Sequence, residues 1–416
     1  MEQILLRLSM SSKKTKAALP FILFIIFMDS LGFGIIIPIM PDLIMTLTDV
    51  DVSTASEYGG YLLFAYAICQ FIFSPIIGGL SDQFGRRPVL LLSSFGFAVD
   101  YLFLAYAPTF ILLLIGRVFS GIMGASFATA AAYIADISEP AKRAQNFGMV
   151  GAFFGLGFVI GPALGGLLGE VGLRVPFLAA AGLSALNWLY IQFVLPESLI
   201  EENRRKFDIK RANPFGTFKQ LAKHKVILGL IIAMIFLYIA SYAVQSTWSF
   251  YTKYQFDWTR AEIGYSLSFV GVLTVLVQGG LIRWVIPKFG EKRSVYVGLM
   301  FYFFGLIFFG YAFEGWMMYA AMIVYCLGGI AGPALQGIMS NQLPSSEQGE
   351  LQGANSSMMS ATAIVGPLLM THVFAMFSGE SAAYHVPGAA MYLAAIFVLV
   401  CILLTWRTLR SFQSTN

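Results

Sequence analysis

Long apolar runs alternate with short polar links along almost the whole chain. A helix needs roughly 20 apolar residues to cross a bilayer. Twelve runs are long enough, and each is predicted as a membrane-spanning helix. The first six lie at about 18–44, 58–80, 88–107, 109–136, 143–169 and 174–195. The second six lie at about 226–252, 262–286, 293–313, 315–341, 349–377 and 384–406. A polar segment separates them, so the chain divides into a first half (1–195), a central loop (196–225) and a second half (226–416). The halves echo each other. Phe84–Gly85 returns as Phe289–Gly290 and Gly161–Pro162 as Gly366–Pro367, both at an offset of 205. Equal offsets at matching places argue for an internal duplication.

Composition agrees with this picture. Of 416 residues, 58% are hydrophobic and 12% charged, with a mean hydropathy of +0.75. Soluble domains carry about 25% charged residues, so a polytopic membrane protein is expected, embedded in a lipid bilayer. An even number of spans puts both termini on one side. That side carries 22 of the 26 Lys and Arg, among them Arg86, Arg87, Lys142 and Arg143, and Arg204 to Lys225 in the central loop. Only Arg174, Lys253 and Arg260 lie opposite, and Arg117 lies within a span. Positive residues gather on the cytoplasmic side, so the termini and central loop are expected there. The net charge of +4 then follows from topology and argues for no nucleic-acid partner. Cys69, Cys326 and Cys401 all fall in apolar runs and read as reduced packing residues. The basic start, Met1–Lys16, reads as a short tail rather than a removable leader. No nucleophilic triad, metal-ligand spacing or phosphate-binding loop is present, so neither catalytic residues nor a metal nor a cofactor is expected.

The candidate chemistry is concentrated in the first half. A charge within the bilayer costs at least about 2.5–3.5 kcal/mol on insertion scales and needs a reason to be there. Asp29 lies some eleven residues into the first span, among Gly32, Gly34 and Pro38. It reads as a proton- or cation-binding group, or alternatively as a carboxylate quietly paired with a buried arginine. Arg117, in the fourth span, is the expected partner, since a fixed positive charge keeps nearby carboxylates ionised. Asp100 in the third span is as deep, and sequence alone leaves its facing open. The link between the second and third spans reads GGLSDQFGRRPVLL, Gly78–Leu91. Gly85 permits a tight reversal, and Pro88 suits a helix's first turn. Asp82, Arg86 and Arg87 there are expected to pair with Asp136, Glu139, Lys142 and Arg143 at the end of the fourth span. In the fifth span Gly157, Gly161 and Gly165 recur every four residues, with Pro162 among them, a stripe suited to close helix packing. The second half has no acid deep within its spans. It has amides and aromatics instead. Gln70 of the first half and Gln245, Trp248, Gln278, Gln336 and Asn355 of the second are candidates for contacting a bulky amphipathic ligand. His372, in the eleventh span, reads as a satisfied core histidine.

Gly78–Leu91 resembles the loop that joins the second and third helices in the major facilitator superfamily. The resemblance extends to RxxxGxxGA at Arg117 and to GxxxGPxxGG at Gly157–Gly166. Together with FMDSLGFGIIIPIMPDL at Phe27–Leu43, PALQGIMS at Pro333–Ser340 and QGELQG at Gln348–Gly353, the chain looks like the tetracycline/proton antiporter branch. The resemblance implies an all-α fold of twelve transmembrane helices in two pseudo-symmetric six-helix halves, the major facilitator fold. It implies a secondary transporter, not an enzyme, that exchanges protons for a small amphipathic molecule by alternating access. Asp29, Asp100 and Arg117 would couple protons, and Asp82, Gly85, Arg86, Arg87, Asp136 and Arg143 would gate. A monomer in the bacterial inner membrane is expected. An importer or exporter of an endogenous metabolite, or a non-transporting receptor with the same fold, is the alternative. Two positions depart from that branch. Thr274 stands where many members have a histidine in the eighth span, and Tyr302 where they have an acid in the ninth.

Overall fold

The computed structural model describes residues 18–124, 126–139, 142–205, 225–344, 348–380 and 382–413. Lys206, Lys210, Arg211, Lys219 and Lys223 of the central loop, the basic residues up to Lys16 and the side chain of Arg143 lie outside the described residues. Every regular element among the described residues is helical, and twelve helices are long and apolar enough to cross a membrane. They run Leu19–Thr48, Val52–Phe84, Arg86–Tyr106, Phe110–Ile137, Gln145–Val171 and Val175–Val194 in the first half. In the second half they run Ile227–Phe256, Arg260–Phe289, Glu291–Tyr311, Gly315–Ser340, Leu351–Ser378 and Ala389–Arg410. The protein is therefore an all-α integral membrane protein with six spans in each half of the chain.

Several boundaries extend past the apolar runs because polar groups there cap helices. The second span begins at Val52 rather than near 58, because Asp51 accepts hydrogen bonds from the Ser53 and Thr54 amides at 3.0 and 3.3 Å. Burial works to raise the Asp51 pKa, yet the hydrogen bonds from Thr54 and Ser53 outweigh it and hold the carboxyl below its ordinary range. The eighth span begins at Arg260 behind a reciprocal cap, in which Thr259 and Glu262 satisfy each other's backbone N–H groups. That span is not uniform. Leu276–Leu281 forms a π-helical turn containing Gln278, and the following helix, Ile282–Phe289, has no buried residue.

The duplication is visible in backbone geometry. Gly85 and Gly290 both adopt positive φ, 107° and 77°, where the chain reverses between the second and third helices of each half. Asp49 and Asp257, at the end of each half's first helix, share φ 53°. Both donate their N–H to the carbonyl four residues back, Met45 and Lys253, as left-handed helix ends do.

By contact, the described residues within Met1–Ile39 and Ile68–Ala212 form one compact unit, and those within Met40–Ala67 and Asn213–Asn416 form another. In the first unit the first span packs chiefly against the fifth. Gly157, Gly161 and Gly165 face the backbone of the first span, and a Cβ on Gly161 would come 2.8 Å from the Leu31 carbonyl oxygen. The apolar core of this unit includes Ile22, Ile26, Leu90, Tyr133, Ile134 and Ile191. In the second unit the seventh span packs against the eleventh and twelfth. Its centre is aromatic. Trp248, Tyr251, Phe309 and Phe374 are all buried, with Trp248 and Phe309 ring centres 5.1 Å apart.

Candidate functional site

The loop between the second and third spans is the most heavily bonded polar region of the first unit. The Arg86 side chain is 9% exposed, and its Nη1 lies 2.5 Å from Asp82 Oδ1 while its Nε lies 3.0 Å from Asp136 Oδ2. Nη1 also donates to Ser81 Oγ at 2.7 Å. One guanidinium thus joins the end of the second span to the end of the fourth, as its five donors in a rigid fork allow. Among the described residues the Arg87 guanidinium meets no acid. It donates to the Ile191 and Gln192 carbonyls at the end of the sixth span. The Lys142 and Glu139 side chains make an exposed 4.0 Å contact.

Glu197, just past the sixth span, completes this site and was not singled out in the sequence. The third span starts at Arg86 behind Gly85, which has no side chain to cap it. Glu197 takes that role from 111 residues away, accepting hydrogen bonds from the Arg86 and Arg87 amides at 2.9 and 3.1 Å. It also accepts from the Ser198 and Leu199 amides at 2.9 and 3.0 Å. A negative charge at a helix N-terminus satisfies orphan donors and meets the positive end of the helix dipole. Gly85 is required twice, for its positive φ and because a Cβ there would collide with the Glu197 carboxylate. Ser198 donates to Asp136, and the Arg205 amide to the Asp82 carbonyl, both at 3.0 Å. A polar cleft of about 640 Å³ lies over this network, bounded by Asp82, Arg86, Asp136, Glu202 and Arg204. The only clue in the sequence was a lone acid following the proline that ends the sixth run.

The second half carries a counterpart of opposite polarity. At the offset of 205, Arg86 corresponds to Glu291 and Asp136 to Asn341. Asn341 Nδ2 donates to both Glu291 oxygens, at 3.0 and 3.1 Å. The pairing geometry is retained while the ion pair has become an amide–carboxylate bond.

Within the spans, the structure corrects the expected partner of Asp29. Arg117 pairs with Asp100, Nη2 to Oδ2 at 3.3 Å, and Ser120 Oγ also donates to Asp100. All three are buried. Among the described residues Asp29 has a neutral partner instead, Asn187 of the sixth span, whose Nδ2 donates to Asp29 Oδ1 at 2.9 Å. Asp100 is thus held through its Oδ2 in a helix-to-helix pair, while among the described residues its buried Oδ1 has no hydrogen-bond partner, and Asp29 is left with an amide. Gln70 Nε2 donates to the Gly124 carbonyl at 3.2 Å, tying the second span to the fourth.

In the second unit the expected ligand contacts divide. Trp248 is not available to a ligand. It is 1% exposed, its Nε1 donates to Ser266 Oγ at 2.9 Å, and its ring is packed in the aromatic core. Gln278 is exposed on the π turn, and Gln245 donates to Ser241 at 2.9 Å. Tyr238, which sequence did not flag, brings two candidates together. Its hydroxyl donates to Asn355 Oδ1 at 2.8 Å and also bonds to Gln336. Thr274 bonds to Cys326, and Tyr302 stacks edge-on with Tyr325 at 4.8 Å, so both departing positions lie among neutral groups.

Two of the three cations that break the charge asymmetry have an acid. Lys253 Nζ lies 2.9 Å from Asp42 Oδ1, and Arg260 also pairs with Asp42. The third, Arg174, donates to the Leu104 and Ala107 carbonyls that end the third span. His372 is not a core residue as expected. It is 67% exposed and lies 2.7 Å from Glu57 Oε1, beside a cleft of about 570 Å³ that Asp51 and Glu380 also line.

Residues 22–355 match the family model of the Major Facilitator Superfamily. The chain belongs to the major facilitator superfamily. It is 38% identical to the class C tetracycline resistance protein of Escherichia coli, over 92% of this chain and 96% of that protein. It is 34% identical to the Escherichia coli class B protein, over 95% of this chain and 98% of that one. Among solved structures it superimposes on the nucleoside transporter NupG with a TM-score of 0.73 at 14% identity, covering 95% of this chain and 99% of that one. The superfamily is one of transporters, so the chain is a membrane transporter and not an enzyme. Its two halves, each with a positive-φ glycine after the second helix, are the repeated units of that fold.

Proposed function

We propose that this transporter exports an amphipathic organic compound of the tetracycline class in exchange for protons, by alternating access. Similarity to tetracycline resistance proteins over more than nine-tenths of the chain supports the substrate class. The observation that carries proton coupling is Asp29, an acid within the first span whose partner is a neutral amide rather than an arginine. Asp100 is paired with Arg117, and Asp29, with an amide as its partner, is the carboxylate proposed to gain and lose a proton in each cycle. Gln70, Gln245, Gln278, Gln336 and Asn355 supply neutral hydrogen bonds to the ligand. The Asp82–Arg86–Asp136 network, held in place by Glu197, stabilises one of two states, and breaking it shifts the balance between them. The protein works as a monomer in the bacterial inner membrane, with its termini and central loop in the cytoplasm. Within the described residues the first half is the six spans to Val194 and the second the six from Ile227.

Uptake of radiolabelled tetracycline into inside-out vesicles, with and without an imposed pH gradient, tests this reading. Wild type is expected to accumulate the drug only with the gradient. Asp29→Asn keeps the shape without the titration, so it is expected to lose gradient-driven accumulation while retaining downhill exchange. Normal accumulation by Asp29→Asn would place the coupled proton elsewhere. A second reading, export of an endogenous metabolite, is favoured by neutral Thr274 and Tyr302 at the two departing positions. Uptake of a metabolite that tetracycline fails to inhibit would select it.

A further inference from the structure

We infer that Asn187 is the positioning residue for the proton-carrying carboxylate, bonding to Asp29 in both of its protonation states. The inference rests on the proton-coupled reading above. Asn187 is fully buried, at 0% exposure, in the sixth span. Its Nδ2 donates to Asp29 Oδ1 at 2.9 Å, while its Oδ1 is buried with no hydrogen-bond partner among the described residues. A buried carbonyl oxygen is rarely left unbonded. Here it lies on the same planar group that already touches the acid. An ionised carboxylate only accepts hydrogen bonds, and a protonated one also donates. A side-chain amide offers one group of each kind. The NH2 serves ionised Asp29, and the oxygen, by rotation of the amide, serves protonated Asp29. A lysine or arginine in this place would favour only the ionised form, and an alkyl side chain would serve neither.

The surroundings isolate the pair. The first span packs against the fourth, fifth and sixth. On those spans the charged residues Asp136, Glu170 and Arg174 stand at the helix ends, and Arg117 lies within the fourth. Tyr190 packs edge-on against Phe21 and tilted against Phe24, and Tyr133 donates to the Pro196 carbonyl. From the third span, Tyr101 lies alongside Gly32, and Asp100 is held by Arg117 and Ser120.

The test is the pH profile of gradient-driven tetracycline uptake in inside-out vesicles, with KM and maximal rate measured at each pH. Asn187→Leu removes both bonds, and because the bond to the ionised carboxylate is the stronger of the two, the pH midpoint is expected to rise by about one unit. Asn187→Asp places a second carboxyl against the first, so a proton is held to higher pH and the midpoint rises by about one unit or more. Asn187→Gln keeps both functional groups and is expected to restore most of the wild-type profile. A merely structural role would lower the maximal rate at every pH and leave the midpoint in place. If Asn187→Leu fails to insert, the near-isosteric Asn187→Asp carries the test alone. A wild-type midpoint in Asn187→Leu and Asn187→Asp overturns the role of Asn187 while leaving proton coupling intact. Wild-type uptake indifferent to the gradient overturns both.

Discussion

Glu197→Ala isolates the contribution of the carboxylate that holds the start of the third span. Four backbone amides, those of Arg86, Arg87, Ser198 and Leu199, lose their acceptor at once. Loss of a helix N-cap costs about 0.5–2 kcal/mol. Hydrogen bonds to a charged group contribute about 1.5–3 kcal/mol each where they are buried. Glu197 is only half-buried, so water replaces part of what is lost, and about 2 kcal/mol is the working figure. At 1.4 kcal/mol per factor of ten, the segment after the sixth span would leave the loop about 30 times more often. Hydrogen–deuterium exchange followed by mass spectrometry reads this directly. Peptides covering 84–88 and 197–200 are expected to exchange about 30-fold faster in Glu197→Ala. Glu197→Gln, which keeps one acceptor oxygen without the charge, should fall between. Glu202→Ala is the control, since Glu202 is exposed on the rim of the same cleft and makes none of these bonds. Exchange in Glu197→Ala indistinguishable from wild type would refute the claim that this acid holds the loop.

Two further outcomes are expected. Asp82→Asn weakens one arm of the Arg86 network without touching the amides proposed to bind ligand. Flux in liposomes should therefore fall while tetracycline affinity by calorimetry stays within about twofold, and unchanged flux would count against a gating role. Asp51→Ala should cost about 1 kcal/mol by removing the cap of the second span. Because the folded-state pKa of Asp51 is depressed, its contribution is fully present above the ordinary carboxylate pKa and is lost as pH falls through the lower folded value. Thermal melts should therefore separate wild type from Asp51→Ala at pH 7 and converge in strong acid. A constant separation across that range would show that the carboxylate charge is not involved.

The resemblance of Gly78–Leu91 to a known loop was legible because it is local. Glycine conformation, charge spacing and proline placement sit within fourteen residues. The pairing of Arg86 with Asp136 was anticipated for the same reason, since both lie where a polar link meets a helix end. Arg117 was assigned to Asp29 as the positive charge lying within a span, and that does not say which way a side chain turns. The rotation of the third and fourth helices about their axes brings Asp100, Arg117 and Ser120 together, and that rotation follows from packing along their full length. Asn187 and Glu197 were overlooked because their partners stand more than 100 residues away. A lone amide in an apolar run, or a lone acid after a proline, says nothing until those partners are in place.

The sequence by itself determined the twelve spans, the division into halves and the internal repeat. Transfer into lipid depends on the summed apolarity of about 20 consecutive residues, which is a local property of the chain. Only the tertiary structure decided that Trp248 is core, that His372 is exposed, that Asp42 meets Lys253 and Arg260, and that Asp29 rests against Asn187. Each of these depends on which helix faces which and at what height. Side chains brought together from distant parts of the chain settle those questions, and lipid imposes no preference among them.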